Sequence, residues 1–225
     1  MRKGQVTVFA TLGLVILIIV GLVLFVLTDI YEEESTFEKP NEMTFFIKTC
    51  AENLLDEGVE IVSRQGGYIF TPEPYVIMYG YRIPVYTNSI DISVIEDNLK
   101  SYIDDNMIRC IELSDFPTFD VNIFSGSVTE VALGEAALTS RTLFVYDEKA
   151  YQVSLSKETA LKELVDVANE AMDIYNSVGY DQLQLSILGA SHNTIIESFR
   201  LIDTFIFYLK KGDSKFGFSI EEATA

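Results

Sequence analysis

The chain has 225 residues, of which 34 are acidic and 16 basic, giving a formal net charge of −18 with 48% hydrophobic residues. That balance disfavours nucleic acid as a partner, because phosphate-backbone binding rests on Lys and Arg neutralising phosphates. It equally disfavours docking on an anionic membrane surface. The apolar content and length suffice for a sizeable core.

In chain order the first feature is an uncharged, proline-free run. Val6 to Leu27 covers 22 residues, about 33 Å as a helix, which matches a hydrocarbon core of about 30 Å. The expectation is therefore an N-terminal transmembrane anchor over residues 1–28, in contact with membrane lipid. Arg2 and Lys3 precede the run and Asp29, Glu32, Glu33 and Glu34 follow it. Positive charge stays in the cytoplasm, so the expected localisation is a single-pass cell-membrane protein, N-terminus cytoplasmic and C-terminal region extracytoplasmic. The run exceeds a secretory signal core, and no Ala-x-Ala cleavage pattern follows it. Ala10, Gly13 and Gly21 lie near one face and would serve helix packing in lipid.

Residues 29–41 are polar and acidic and read as a juxtamembrane stalk. Residues 42–115 read as helix, strands, helix. Asn41 offers an N-cap, and Phe46, Ile47, Cys50, Leu54, Leu55, Val59 and Val62 recur at helical spacing. Gln65-Gly66-Gly67 should end that helix. Short strands are expected at 68–70, 75–79 and 82–86, punctuated by Pro72, Pro74, Gly80 and Pro84. A second helix from near Ser93 to Cys110 should bury Ile95, Leu99, Tyr102 and Ile103. Residues 116–225 read as a β-rich region, with strands at 119–124, 128–133, 137–146 and 151–155. One long helix is expected over 157–178, capped by Ser156, with its stripe on Leu161, Leu164, Val165, Ala168, Met172 and Tyr175 and its end at Gly179. Strands should follow at 182–188, 194–201, 204–209 and 215–220. The fold class expected is α+β: one transmembrane helix, then short antiparallel sheets packed with about three amphipathic helices.

Cys50 is in phase with Leu54 and Gly58, and Cys110 with Leu99, Ile103 and Met107. Both sit on apolar helix faces that could meet, so a disulfide is expected; two separate buried thiols are the alternative.

Catalytic signals are weak. His192 is the only histidine, and it stands in a turn-like Gly-Ala-Ser-His-Asn stretch with no nucleophile motif around it. No phosphate loop, dinucleotide fingerprint or zinc pattern occurs, so no metal and no cofactor is expected. The acid pairs Glu96-Asp97 and Asp104-Asp105 lack calcium-loop spacing and read as solvated helix faces. Gln65, Gly66, Gly67 and Tyr68 form one specified cluster, either a partner-contacting loop or a helix stop feeding a strand. Tyr68, Tyr75, Tyr79, Tyr81 and Tyr86 fall within 19 residues. Such a group suits a partner surface or an ordinary half-buried sheet.

Lys3-Gly4-Gln5-Val6-Thr7-Val8-Phe9 resembles the class III signal of archaeal pilins and archaellins. That resemblance implies cleavage between Gly4 and Gln5 and retention of the apolar helix in a filament core. The chain departs from it in carrying Phe9 where bacterial pilins carry a glutamate. The same start, with Gln65-Gly66-Gly67-Tyr68-Ile69 and the two cysteines, loosely resembles a group of archaeal single-span proteins without an assigned function. The expected function is a cell-surface structural or adhesive protein of pilin-like biogenesis, with copies of itself or other envelope proteins as partners. The alternative is a signal-anchored binding domain that never polymerises; an enzyme is a distant third.

Overall fold

Ile47, Ala51, Leu54, Leu55 and Val62 recur at helical spacing, and all are buried along one face of α1 (Glu42–Arg64). The computed structural model describes residues 42–112, 124–146 and 148–222. Among them the order continues as β1 (Tyr75–Met78), β2 (Tyr81–Tyr86), α2 (Ile92–Glu112), β3 (Phe124–Leu133), β4 (Ala137–Tyr146) and β5 (Lys149–Glu158). Next come α3 (Leu161–Val178), α4 (Gln182–Ser191), β6 (Ile195–Leu201), β7 (Thr204–Lys211) and β8 (Ser214–Glu221). From Thr44 onward the chain forms one compact unit.

The expected membrane fold is corrected. Among the described residues no helix is long and apolar enough to cross a membrane. The described helices are amphipathic: α1 carries Lys48, Glu52, Asp56, Glu57, Glu60 and Arg64 beside its apolar face. The single-pass anchor and the membrane localisation built on it therefore form no part of the described fold. The run expected to span, 6–27, lies outside the described residues, as do Lys3, Gly4, Gln5, Ala10, Gly13 and Gly21. The fold is α+β, with four described helices rather than about three. The sheets are not purely antiparallel either.

Eight strands form two sheets. One has the order β1-β2-β8-β7-β6, the other β3-β4-β5. All neighbours are antiparallel except β2 and β8, which run parallel through Val85↔Ser219 and Tyr86↔Ile220. The buried Ser219 hydroxyl donates to the Pro84 carbonyl at 2.8 Å beside that junction. Strands from both halves of the sequence thus share one sheet.

One face of the larger sheet holds the main core. Phe205, Phe207 and Leu209 of β7 lie directly opposite Ile220, Phe218 and Phe216 of β8, all buried. The stripe of α3 packs on this face, with Tyr175 5.6 Å from Phe205 between ring centroids. The Asn169 side chain reaches from α3 to both backbone groups of Ile90, holding the entry to α2.

α1 and α2 run antiparallel and are joined by Cys50–Cys110, with Cα atoms 5.6 Å apart. Gly58 permits the close approach, since a Cβ there would stand 3.0 Å from the Tyr102 ring. Burial first, then the neighbouring Glu57 carboxylate, pushes the Tyr102 hydroxyl up to about 12. A raised acid pKa means that the folded chain holds its proton more tightly. The associated stability is present below the unfolded value of 10.0 and is lost as pH rises through the folded one. Thermal unfolding followed by circular dichroism should show the midpoint falling between about pH 10 and 12, with Tyr102→Phe flattening part of that fall. An unchanged pH profile in the variant would remove Tyr102 from this role.

Three local expectations also change. The first is the long helix, which begins at Leu161 rather than 157 because β5 runs on to Glu158 and takes Ser156 with it. Residues 182–188, expected as a strand, belong to α4, whose N-cap Asp181 accepts from the N–H groups of Leu183 and Gln184. Residues 68–70, likewise expected as a strand, are irregular: the Gln65 amide donates to the carbonyls of Tyr68 and Ile69, and the Ile69 N–H donates to Asn98.

Candidate functional site

The opposite face of the larger sheet is only partly covered. Residues at alternate positions along β7 point there, including Tyr208 and Lys210, with Glu197 and Phe199 of β6 and Lys215 and Gly217 of β8 beside them. The end of α1 and the β1–β2 hairpin close the other side. The hairpin turns through Tyr79 (φ 53°) and Gly80 (φ 84°), both left-handed as its tight geometry requires. Tyr79 is thereby held 73% exposed.

Between these walls lies a groove of about 320 Å³ lined by Tyr79, Tyr81, Tyr208, Phe199, Arg64, the lysines 210 and 215 and one carboxylate, Glu197. The volume falls in the range of small-ligand and side-chain sites. Tyr79 lies 6.1 Å from Tyr208, and Phe199 meets Tyr208 edge-on at 6.2 Å. Gly217 makes this floor possible: a Cβ there would stand 2.9 Å from the Tyr208 ring and 3.3 Å from the Arg64 carbonyl. Burial, and then the neighbouring Tyr79, raises the Tyr208 hydroxyl above its ordinary pKa, so it serves as a neutral donor.

The electrostatics of the groove set it apart. Arg64 lies 4.8 Å over the Tyr81 ring and pairs with Glu60 at 2.8 Å. Lys210 and Lys215 stand directly opposite each other across β7 and β8. Like charges in that position are destabilising, and among the described residues neither lysine has an ion pair. In a chain of charge −18, two facing, unpaired cations among aromatic rings form an anion-accepting arrangement. A neighbouring depression of about 570 Å³ is lined by Asp56, Glu57, Glu60, Glu158 and Asp213 and shares Arg64 and Lys215 with the groove; Lys157 there is paired with Asp56.

The structure distributes the sequence-derived candidates as follows. Gly66 and Gly67 are buried and take φ of 60° and 97° to end α1. Tyr86 donates its hydroxyl to the Gly66 carbonyl, and Tyr68 stacks on Tyr86 at 6.4 Å. The cluster's bonds thus run inward. Of the five clustered tyrosines, Tyr79 and Tyr81 enter the groove, while Tyr75 lies beneath Arg82. Asp104 is not simply solvated: it accepts from the N–H and hydroxyl of Thr129, and Glu96 accepts from the Leu133 N–H, tying α2 to β3. His192 caps the end of α4, 3.5 Å from Glu170. Among the described residues no three His, Cys, Asp or Glu side chains gather as a metal site.

Sequence reasoning missed Phe199, Tyr208, Lys210 and Lys215. A signal existed, because Tyr208, Lys210 and Lys215 flank the Gly212-Asp213 turn at positions that share a face of a hairpin. Comparison with protein families, with characterised proteins and with solved structures gives no match.

Proposed function

We propose that the chain is a non-catalytic adhesive or binding protein, and that the groove takes an acidic, aromatic-bearing segment of a protein partner. The observation that carries this reading is the unpaired Lys210–Lys215 couple among Tyr79, Tyr81, Tyr208 and Phe199. Aromatic rings supply large contact area with polar tips, and the two lysines supply positive charge for carboxylates of the partner. Complementary charge adds on-rate and selects against other partners.

The test is titration of the chain with a glutamate–tyrosine copolymer, read by calorimetry. Binding should weaken as salt is raised. The Lys210→Glu/Lys215→Glu variant should bind about ten- to thirtyfold more weakly, since each reversed charge in an open groove costs on the order of 1 kcal/mol. Equal binding by the variant would remove the groove from the function.

A further inference from the structure

An open sheet edge invites pairing with another strand, and folded chains blunt their edges with short strands, prolines, lysines or a covering element. Three of the four edges among the described residues are blunted. β1 has four residues and follows Pro72 and Pro74. On β3 the outer N–H groups of Thr129 and Leu133 are taken by the Asp104 and Glu96 carboxylates of α2. β5 carries Lys149 and Lys157 at its ends, and Lys157 pairs with Asp56 of α1. β6 reads Ile-Ile-Glu-Ser-Phe-Arg-Leu and carries neither proline nor lysine. α4 and Tyr180, whose hydroxyl meets that of Ser198 at 2.8 Å, contact it from the face that α3 covers and leave its outer backbone groups without a described partner.

The β6 backbone has a definite pattern. β6 and β7 are joined by a two-residue turn, Ile202-Asp203, with Leu201 facing Thr204, Phe199 facing Ile206, Glu197 facing Tyr208 and Ile195 facing Lys210. In such a hairpin the pair flanking the turn exchanges both hydrogen bonds, and every second pair after it does the same. Leu201, Phe199, Glu197 and Ile195 therefore spend their backbone groups on β7. Ile196, Ser198 and Arg200 point theirs at the free edge, where no described residue meets them.

We propose that β6 pairs antiparallel with β6 of a second copy of this chain, about a two-fold axis at Ser198. The outward residues are symmetric about Ser198, so one register satisfies all of them at once. Ser198 meets Ser198 of the second copy, and Ile196 meets Arg200. On the groove face Ile195, 58% exposed, meets Leu201, 45% exposed, and Phe199 meets Glu197. No like charges stand opposite each other in this register. Centring the pair on Ile196, Glu197, Phe199 or Arg200 would leave at least one of the three outward residues unpaired, and the Glu197 centre would also set two like charges opposite each other. The contact is isologous and closes as a dimer. The charge of −18 on each copy opposes approach at long range, so added salt strengthens the dimer. Glu197 and Phe199 also line the groove, so the dimer seam runs along its rim; the pairing itself rests on the β6 backbone and not on what the groove binds.

Sedimentation equilibrium of the full chain tests it, in mild detergent so that the apolar run 6–27 does not itself drive association. The wild type should form a dimer that tightens with salt. Ser198→Pro removes an N–H aimed at the free edge and spares the β7 ladder. It should weaken self-association roughly tenfold or more, both ladder bonds at the axis being lost. Ser198→Cys places two thiols across the axis with Cα atoms about 5.5 Å apart, within disulfide range. Because the described native cysteines are already bonded to each other, air oxidation should give a covalent dimer. Ser177→Cys, exposed at the end of α3, should not. A wild type that stays monomeric, a Ser198→Pro variant that folds and associates like the wild type, or a Ser198→Cys variant that cross-links no faster than Ser177→Cys would each overturn the proposal. Should Ser198→Pro fail to fold, the cross-link alone decides.

Discussion

Replacing Cys50 and Cys110 together by alanine is expected to cost about 4 kcal/mol of stability, the loop-closure entropy that the bond removes from the unfolded chain. The magnitude follows from the 60-residue separation. For a unit of this size each kcal/mol shifts the melting midpoint by about 2–4 °C, so the midpoint should fall by roughly 8–16 °C. Reduction of the wild type should reproduce the effect. The closed loop contains more than the two helices it ties together: it holds the Gln65–Tyr68 cluster and the whole β1–β2 hairpin, which supplies Tyr79 and Tyr81 to the groove. Loosening α1 against α2 should therefore weaken ligand binding in the groove before the larger sheet unfolds. Differential scanning calorimetry with and without reductant measures the first effect, and the copolymer titration the second. A midpoint that moves by less than about 3 °C would mean that helix packing around Gly58 and Tyr102, rather than the covalent bond, braces this half.

That bond was legible because it depends on one-dimensional information. Cys50 and Cys110 each follow the helical period of their own element, and α1, α2 and α3 are long enough for the period to stand out. Shorter elements mislead. Leu183, Leu185 and Ile187 alternate as a strand would, yet Leu185 and Leu188 are the leucines that α4 buries, while Leu183 and Ile187, four apart, are exposed. Asp181 followed by Gln184 was a readable helix start that the alternation concealed. The start of α3 was misplaced for a related reason. Ser156 looks like an N-cap, but β5 runs on to Glu158, and the helix start is organised instead by Thr159 and by Ser214 from a distant turn. The parallel β2–β8 junction joins residues far apart in sequence, and no local pattern encodes it. The groove combines both kinds of information. Tyr79 and Tyr81 sit in a conspicuous tyrosine cluster, while Tyr208, Lys210 and Lys215 lie more than a hundred residues later and gain their meaning only when β7 and β8 are laid beside α1. The acid pairs teach the converse lesson. Glu96 and Asp104 look solvated in a list of charges, but eight residues apart on one helix they reach along one side, and there they meet the N–H groups of β3.

Phe218→Ala and Tyr208→Ala should have opposite consequences, because the two residues occupy opposite faces of one sheet. Phe218 is fully buried, directly opposite Phe207 with rings 5.0 Å apart, on the face that α3 covers. Its truncation leaves a cavity that neighbouring strands cannot close, and should cost about 3–5 kcal/mol. Chemical denaturation should show a lower midpoint at an unchanged slope. At temperatures where this variant remains folded, its affinity for the glutamate–tyrosine copolymer should match that of the wild type, since the groove face is untouched. Tyr208 is only half-buried, lies opposite Gly217 and lines the groove. Its truncation forfeits a smaller share of buried area, about 1–2 kcal/mol, yet removes the ring that Tyr79 and Phe199 both contact. Copolymer binding should then fall by tenfold or more, the scale of one well-packed aromatic anchor at an interface. The pair distinguishes a binding face from a structural one. If Tyr208→Ala lost stability as severely as Phe218→Ala while binding stayed intact in the folded fraction, the tyrosines would be a second core layer, and the groove would have no claim as a site.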